Sequence, residues 1–227
     1  MKEFQTILLD ADGTLFDFDA CEEEALKLTF HKYSYRLEET TRKLYGDINK
    51  DLWKQYERGE IDRNTIIYSR FKTLFEKIGI KNDGITFEDD YQELLGMQHY
   101  SIEDAPEVLA YLYGKYDLYI VTNGVTATQR RRFMESGVDK YMKKLFVSEE
   151  TGYQKPMKEY FDYCFARIDN LDLARTMIIG DSLTSDIKGG NNAGITTCWF
   201  NSDNLTNNTD AIVDFEIHNL KDLYEML

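Results

Sequence analysis

The chain has 227 residues, 42% of them hydrophobic and 30% charged, which is ordinary for a globular protein and corresponds to one large domain or two small ones. Its formal net charge of −14 makes nucleic-acid polymers and anionic membranes unfavourable partners, but does not exclude a small phosphate ester. No window approaches the roughly 20 apolar residues of a membrane span. Three cysteines without a close pair, and an amino terminus without the apolar run of a signal peptide, lead us to expect a cytoplasmic protein.

Short apolar runs that stop at polar turn residues predict five buried strands. They cover residues 4–9, 118–121, 145–147, 177–179 and 196–200. Helical patterns separate the later strands: one begins near Asp104, where Pro106 suits the first turn. The others cover about 126–136, 157–168 and 184–193. Because short strands alternate with helices, we predict an α/β fold with a Rossmann-like parallel sheet.

Residues 17–100 interrupt this alternation. Their apolar residues recur at helical spacing, most clearly over 66–78, and no run is typical of a strand. We therefore predict an inserted α-helical domain over 17–100. The α/β core is then discontinuous in sequence and consists of 1–16 and 101–227.

Polar residues follow four of the predicted strands. In chain order they are Asp10, Asp12, Thr122, Asn123, Lys155, Asp181 and Asp186. In an open parallel sheet ligands bind beyond the carboxyl ends of the strands, so these residues should share one site. Clustered carboxylates repel one another unless a cation lies among them, and hard oxygen ligands suit Mg²⁺, with Mn²⁺ as an alternative. The sequence therefore predicts a phosphate ester bound through Mg²⁺, with Lys155 adding positive charge.

Four motifs in fixed order resemble those of the haloacid dehalogenase (HAD) superfamily of phosphohydrolases. They are Asp10-Ala11-Asp12-Gly13-Thr14-Leu15, Val121-Thr122-Asn123-Gly124, Lys155-Pro156 and Gly180-Asp181-Ser182-Leu183-Thr184-Ser185-Asp186. Each motif alone is a weak signal, whereas the ordered set is specific. The resemblance implies the HAD fold, and it implies that the helical insertion is the cap domain that this superfamily carries after its first motif.

The resemblance also implies catalytic and metal-binding roles. Asp10 would be the nucleophile that forms an aspartyl phosphate, assisted by the charge of Lys155. Asp12 would be the general acid that protonates the leaving oxygen and then the base that activates water. The Asp10 carboxylate, the Asp12 backbone carbonyl and Asp181 would bind the metal ion. Asp186 would bind metal-coordinated water, or would orient the metal ligands without binding the metal ion itself.

For the substrate, the resemblance implies that Thr122, the N–H of Asn123 and Lys155 hold phosphoryl oxygens. Residues 15–20 and 152–161 look most like the pyrimidine 5′-nucleotidase branch, whose members hydrolyse nucleoside monophosphates. A phosphatase for small sugar phosphates or phosphoglycolate, a phosphosugar mutase and a non-catalytic phosphate-sensing module stay open. The expected partner is a small phosphorylated metabolite, and the sequence does not indicate an oligomeric state.

Overall fold

The computed structural model describes residues 3–227, which form two compact units. One unit combines the chain up to Asp19 with His99–Leu227, and the other is Ala20–Gln98. The domain limits set from the sequence, 1–16 with 101–227 and 17–100, remain a prediction about which parts fold independently. Residues 1 and 2, which belong to the predicted core domain and to the segment compared with a signal peptide, lie outside the described residues.

A six-stranded sheet forms the centre of the first unit. Its strands are β1 (Thr6–Leu9), β2 (Asp117–Thr122), β3 (Lys144–Val147), β4 (Thr176–Gly180), β5 (Thr196–Phe200) and β6 (Phe215–Ile217). They lie in the order β3-β2-β1-β4-β5-β6, and every neighbouring pair is parallel. The predicted α/β fold with a parallel sheet is confirmed. Because β1 lies between β2 and β4, the three strand ends that carry most of the polar motif residues are adjacent.

The α-helices flank the sheet and form the insertion. In chain order they are α1 (Phe18–Lys32), α2 (Glu39–Glu57), α3 (Arg63–Ile78), α4 (Ile85–Gly96), α5 (Ala105–Leu112), α6 (Thr126–Ser136), α7 (Ser148–Thr151), α8 (Lys158–Phe165), α9 (Lys188–Ala193) and α10 (Leu223–Met226). A π-helical turn over Leu183–Ile187 precedes α9. Among the described residues, none of these helices has the length and apolar character that crossing a membrane requires.

The sheet has a hydrophobic core on each face. Successive side chains of a strand point to opposite faces, and β1 shows this directly. Ile7 and Leu9 pack with Phe133 of α6 in one buried cluster, while Leu8 packs with Phe161 of α8 in another. Because both faces are covered, the strands read in the sequence as continuous apolar runs rather than as alternating patterns.

The unit Ala20–Gln98 is helical, and no strand occurs among its described residues. The apolar stripe of α3 is buried, as its spacing predicts. A buried ion pair crosses the interior: Arg70 donates from Nε to Glu88 Oε2 at 2.8 Å and from Nη2 to Glu88 Oε1 at 2.5 Å. Arg70 Nη1 donates to Asn49 Oδ1 at 3.0 Å, so the guanidinium is neutralised and hydrogen-bonded where water does not reach it.

Candidate active site

The turn after β1 brings the first motif against the fourth. Gly13 has a φ of +84°, and a Cβ at this position would lie 2.6 Å from a carboxylate oxygen of Asp181. Only glycine allows this close approach together with a left-handed backbone. Thr14 Oγ1 donates to Asp181 Oδ1 at 3.2 Å, and the indole N–H of Trp199 donates to the Asp181 carbonyl at 2.8 Å. Asp181 is therefore fixed by its backbone and its side chain at the end of β4.

Lys155 lies at the centre of the site with all three ammonium hydrogens used. Its Nζ donates to Asp10 Oδ1 at 2.5 Å, to Asp186 Oδ1 at 2.6 Å and to the Val121 carbonyl at 2.8 Å. The other Asp186 oxygen accepts the backbone N–H of Ser182 at 3.1 Å. Asp10, Lys155 and Asp186 are all buried, so the strand ends of β1, β2 and β4 are tied together by charged hydrogen bonds.

Burial and neighbouring charges shift the pKa values of Asp10 and Lys155. Burial raises the pKa of Asp10 well above its ordinary value, Asp186 raises it further, and Lys155 opposes both effects. Burial also lowers the pKa of Lys155, but the charges of Asp10 and Asp186 outweigh it, so the net pKa is raised. The lysine therefore stays protonated.

The carboxylates fit a divalent cation. Asp10, Asp181 and Asp186 each offer an oxygen, and these oxygens lie within 4.8 Å of one another. Three carboxylates and the Lys155 ammonium have a formal charge of −2, which one divalent ion balances. The donor set is all oxygen, as Mg²⁺ prefers, and Asp181 is the exposed member through which solvent reaches it.

The structure does not bring the Asp12 carboxylate into this acidic cluster. Asp12 Oδ2 accepts from Gln129 Nε2 at 2.5 Å, and Asp12 Oδ1 accepts from Arg132 Nη1. Its predicted part in metal binding thus rests on its backbone carbonyl alone. Gln129 and Arg132 are not among the site residues predicted from the sequence; the available signal is their three-residue spacing in the helix that follows the second motif.

The second motif is braced by hydrogen bonds. Thr122 Oγ1 accepts from the Gly124 N–H at 3.2 Å and from Gln129 Nε2 at 3.0 Å, so both of its lone pairs are used. Asn123 Oδ1 accepts from the Lys155 N–H and Asn123 Nδ2 donates to the Lys155 carbonyl, both at 2.9 Å. The Asn123 side chain therefore fixes the Lys155 backbone. The group of Asn123 that is left for the predicted contact with phosphate is its backbone N–H.

A cavity of about 410 Å³ lies within the sheet unit, and Asp12, Gly13 and Asp181 are among the residues that line it. Trp199 and Phe18 contribute apolar surface to it. Its acidic lining residues are Asp12, Asp17, Asp19, Asp181 and Asp203. The wall next to the predicted proton donor and metal ligand is therefore strongly negative.

The chain is similar to known hydrolases over most of its length. Residues 4–194 match the profile of the haloacid dehalogenase-like hydrolases. The HAD-hydrolase YfnB of Bacillus subtilis is 43% identical, with 100% of this chain and 97% of YfnB covered. The crystal structure of YfnB bound to magnesium has a TM-score of 0.95, with 100% of this chain and 99% of that chain covered.

Two further relatives carry a substrate in their names. The pyrimidine 5′-nucleotidase PynA of Streptococcus pneumoniae is 36% identical, with 99% of this chain and 95% of PynA covered. The pyrimidine 5′-nucleotidase YjjG of Escherichia coli is 30% identical, with 97% of this chain and 96% of YjjG covered. The motifs, the parallel sheet and these matches together show that the chain belongs to the haloacid dehalogenase-like hydrolases.

Proposed function

We propose that this hydrolase is a Mg²⁺-dependent phosphomonoesterase that acts through an aspartyl phosphate on Asp10, and that it is a 5′-nucleotidase for pyrimidine nucleoside monophosphates. The observation that carries the chemistry is the buried Lys155 ammonium, which binds Asp10 and Asp186 beside Asp181. The substrate class is supported by PynA and YjjG, which match nearly the whole chain.

Asp10, Asp181 and the Asp12 backbone carbonyl would hold the metal ion, with Asp186 beside them. Bound Mg²⁺ would supply positive charge against the phosphoryl oxygens, which complements the Lys155 ammonium. Magnesium in the crystal structure of YfnB supports this choice, and Mn²⁺ has the same preference for oxygen ligands.

In the first step an Asp10 oxygen attacks phosphorus, and the bond from phosphorus to the ester oxygen breaks. Lys155 binds Asp10 Oδ1, which leaves Oδ2 as the attacking atom. Thr122 accepts two hydrogen bonds, so its hydroxyl hydrogen is the group it offers to a phosphoryl oxygen. Asp12 gives a proton to the leaving oxygen. The products are the alcohol and an aspartyl phosphate.

In the second step water attacks the phosphorus of the aspartyl phosphate. Asp12 takes a proton from this water, the bond between phosphorus and the Asp10 oxygen breaks, and inorganic phosphate is released. Lys155 again balances the carboxylate that Asp10 becomes. Asp12 returns to its protonated form and Asp10 to its free form, so the cycle closes.

The cavity favours an uncharged leaving group. Besides the proton donor Asp12 and the metal ligand Asp181, it is lined by Asp17, Asp19 and Asp203, whose charges would repel a second phosphate or a carboxylate on the substrate. A nucleoside has neither group, whereas phosphoglycolate carries a carboxylate. The charge of the cavity therefore supports a nucleoside monophosphate over a short acid phosphate.

The direct test is phosphate release from a panel of monophosphates, with Mg²⁺ and with a chelator. The panel holds UMP, dUMP, TMP, CMP, AMP, GMP, phosphoglycolate and hexose phosphates. Metal-dependent preference for the pyrimidine esters supports the proposal. Preference for a sugar or acid phosphate would keep the chemistry and replace the substrate. Release from none of them would refute the hydrolase, and labelling of Asp10 by the phosphoryl group would then distinguish a mutase from a sensing module.

The nucleophile is tested by Asp10→Asn. This change preserves the size of the side chain and its neighbours, so we expect a folded protein without turnover and without phosphoryl labelling. Asp162→Asn is the matched control, because Asp162 forms an exposed ion pair with Lys158. Full activity of Asp10→Asn would refute the role of Asp10.

A further inference from the structure

Two buried polar residues of α6 face the first motif. Gln129 and Arg132 are each only 1% exposed, although glutamine and arginine are mostly found at the surface. They are three residues apart in the helix, so they lie on the same face. That face points at Asp12 from within the same unit.

The hydrogen bonds give each of these side chains a definite orientation. Gln129 Nε2 donates to Asp12 Oδ2 and to Thr122 Oγ1, while Gln129 Oε1 accepts from Arg132 Nη1 at 3.2 Å. The amide cannot be turned over, because its oxygen would then face the Asp12 carboxylate and its NH₂ group would face the Arg132 guanidinium. The Arg132 guanidinium also lies over the Phe16 ring, with its central carbon 4.6 Å from the ring centroid.

The backbone leaves space for this arrangement. A Cβ on Gly124 would lie 2.4 Å from Gln129 Nε2, so a side chain at position 124 would displace the amide. The glycine of the second motif therefore accommodates the residue that links Thr122 to Asp12. Each Asp12 oxygen accepts a hydrogen bond from α6, and the Asp12 side chain is otherwise 26% exposed, on the wall of the cavity.

We propose that Gln129 and Arg132 are positioning residues, which fix the direction of the Asp12 carboxylate and couple it to Thr122. The proposal rests on the proposed function, in which Asp12 transfers protons and Thr122 binds a phosphoryl oxygen. A proton-transfer group must remain within hydrogen-bond reach of the reacting oxygen. Gln129 joins the two groups through a single amide, so they move together.

The test uses Arg132→Lys and Gln129→Leu. The lysine keeps the charge but cannot contact Asp12, Gln129 and Phe16 together, and the leucine keeps the bulk but no hydrogen bond. Arg131→Lys is the matched control, because Arg131 is adjacent in sequence and pairs with Glu135 at the surface. Urea unfolding of each variant establishes that it is folded. If one variant is unfolded, the other one carries the test.

The readout is kcat/KM for UMP and for p-nitrophenyl phosphate, which reports the steps up to departure of the leaving group and not the later hydrolysis of the aspartyl phosphate that both esters share. The p-nitrophenolate leaving group needs little protonation, so an error in the placement of Asp12 should matter less for that ester. We expect kcat/KM for UMP to fall by about 10- to 100-fold in both α6 variants, with a smaller fall for p-nitrophenyl phosphate. Arg131→Lys should stay within about twofold of the parent protein.

A double variant separates positioning from a structural effect. If Arg132 acts through Asp12, Arg132→Lys should cause no further loss in an Asp12→Asn background. An additive loss, or an equal loss of kcat/KM on both esters, would overturn the inference while leaving the phosphatase intact. If Asp12→Asn itself lowers kcat/KM equally for both esters, the acid role of Asp12 fails and this inference fails with it.

Discussion

The same chemical change at two glycines should have opposite effects. Gly180, at the end of β4, has no side chain where Asp186 packs against it, and a Cβ there would lie 2.3 Å from the Asp186 carboxyl carbon. Gly46 lies within α2, and apart from its chain neighbours and the adjacent helix backbone no atom of the described residues lies within 4 Å of the position of its missing Cβ. Gly180→Ala therefore tests the close packing of the site, and Gly46→Ala is its matched control.

The size of the effect follows from the distances. Ordinary contact begins at 3.4 Å, so Asp186 must move by ~1 Å, which stretches its 2.6 Å hydrogen bond to Lys155. Overpacking of this kind costs about 1–3 kcal/mol of stability. A misplacement of ~1 Å in a site costs about 100-fold in rate. Gly46→Ala should instead stabilise the protein by about 0.5–1 kcal/mol, because alanine favours the helix interior.

Urea unfolding followed by circular dichroism gives the two stabilities, and Mg²⁺-dependent phosphate release gives the two rates. We expect Gly180→Ala to remain folded with most of its activity lost, and Gly46→Ala to remain fully active. Full activity of Gly180→Ala would show that the contact between Lys155 and Asp186 does not control the reaction. Destabilisation by Gly46→Ala would contradict the conclusion that a methyl group fits at position 46 without a clash.

Three further predictions concern stability, thiol reactivity and the metal. Glu88→Leu should lower the free energy of unfolding by about 3–5 kcal/mol, because it leaves the Arg70 charge without its carboxylate partner. Adding Arg70→Met to the same chain should restore most of this loss. Urea titration measures both effects, and a loss below about 1 kcal/mol in Glu88→Leu alone would refute the reasoning. Burial raises the pKa of the Cys164 and Cys198 thiols to about 12, so iodoacetamide at pH 8 should label them in urea and not in the native protein, as mass spectrometry will show. Mg²⁺ at about 100 times its Kd should stabilise the protein by about 2.7 kcal/mol, and a similar gain in Asp181→Asn would count against Asp181 as a ligand.

The strands could be predicted from the sequence because both faces of the sheet are covered. Buried parallel strands read as short apolar runs, and β1 to β5 all coincide with such runs. The sixth strand, Phe215–Ile217, was not predicted, since it has three residues at the sheet edge and two of them are exposed. The helix predicted over 184–193 is instead a π-helical turn followed by α9. The spacing of apolar residues in the sequence does not distinguish these two kinds of helix.

The site was only partly predictable for a similar reason. Asp10, Lys155 and Asp186 meet because the carboxyl ends of parallel strands meet, and that rule needs only the order of the strands. Gln129 and Arg132 lie in a run of polar residues that is typical of an exposed helix face. Their burial depends on Asp12, which precedes them in sequence by 117 and 120 residues. A pattern of neighbouring residues cannot predict a contact between residues that lie so far apart in the sequence.

Each of the two compact units contains one of the chain's two tryptophans. Trp53 lies in α2, whereas the Trp199 indole is hydrogen-bonded to the Asp181 carbonyl. Indole emission responds to local polarity and hydrogen bonding, so a Trp53→Phe protein would have a single indole, and that indole is hydrogen-bonded to Asp181 of the acidic cluster. The chain thus has a built-in optical probe in each unit, with which metal binding and the melting of the sheet can be followed separately from the melting of the helical insertion.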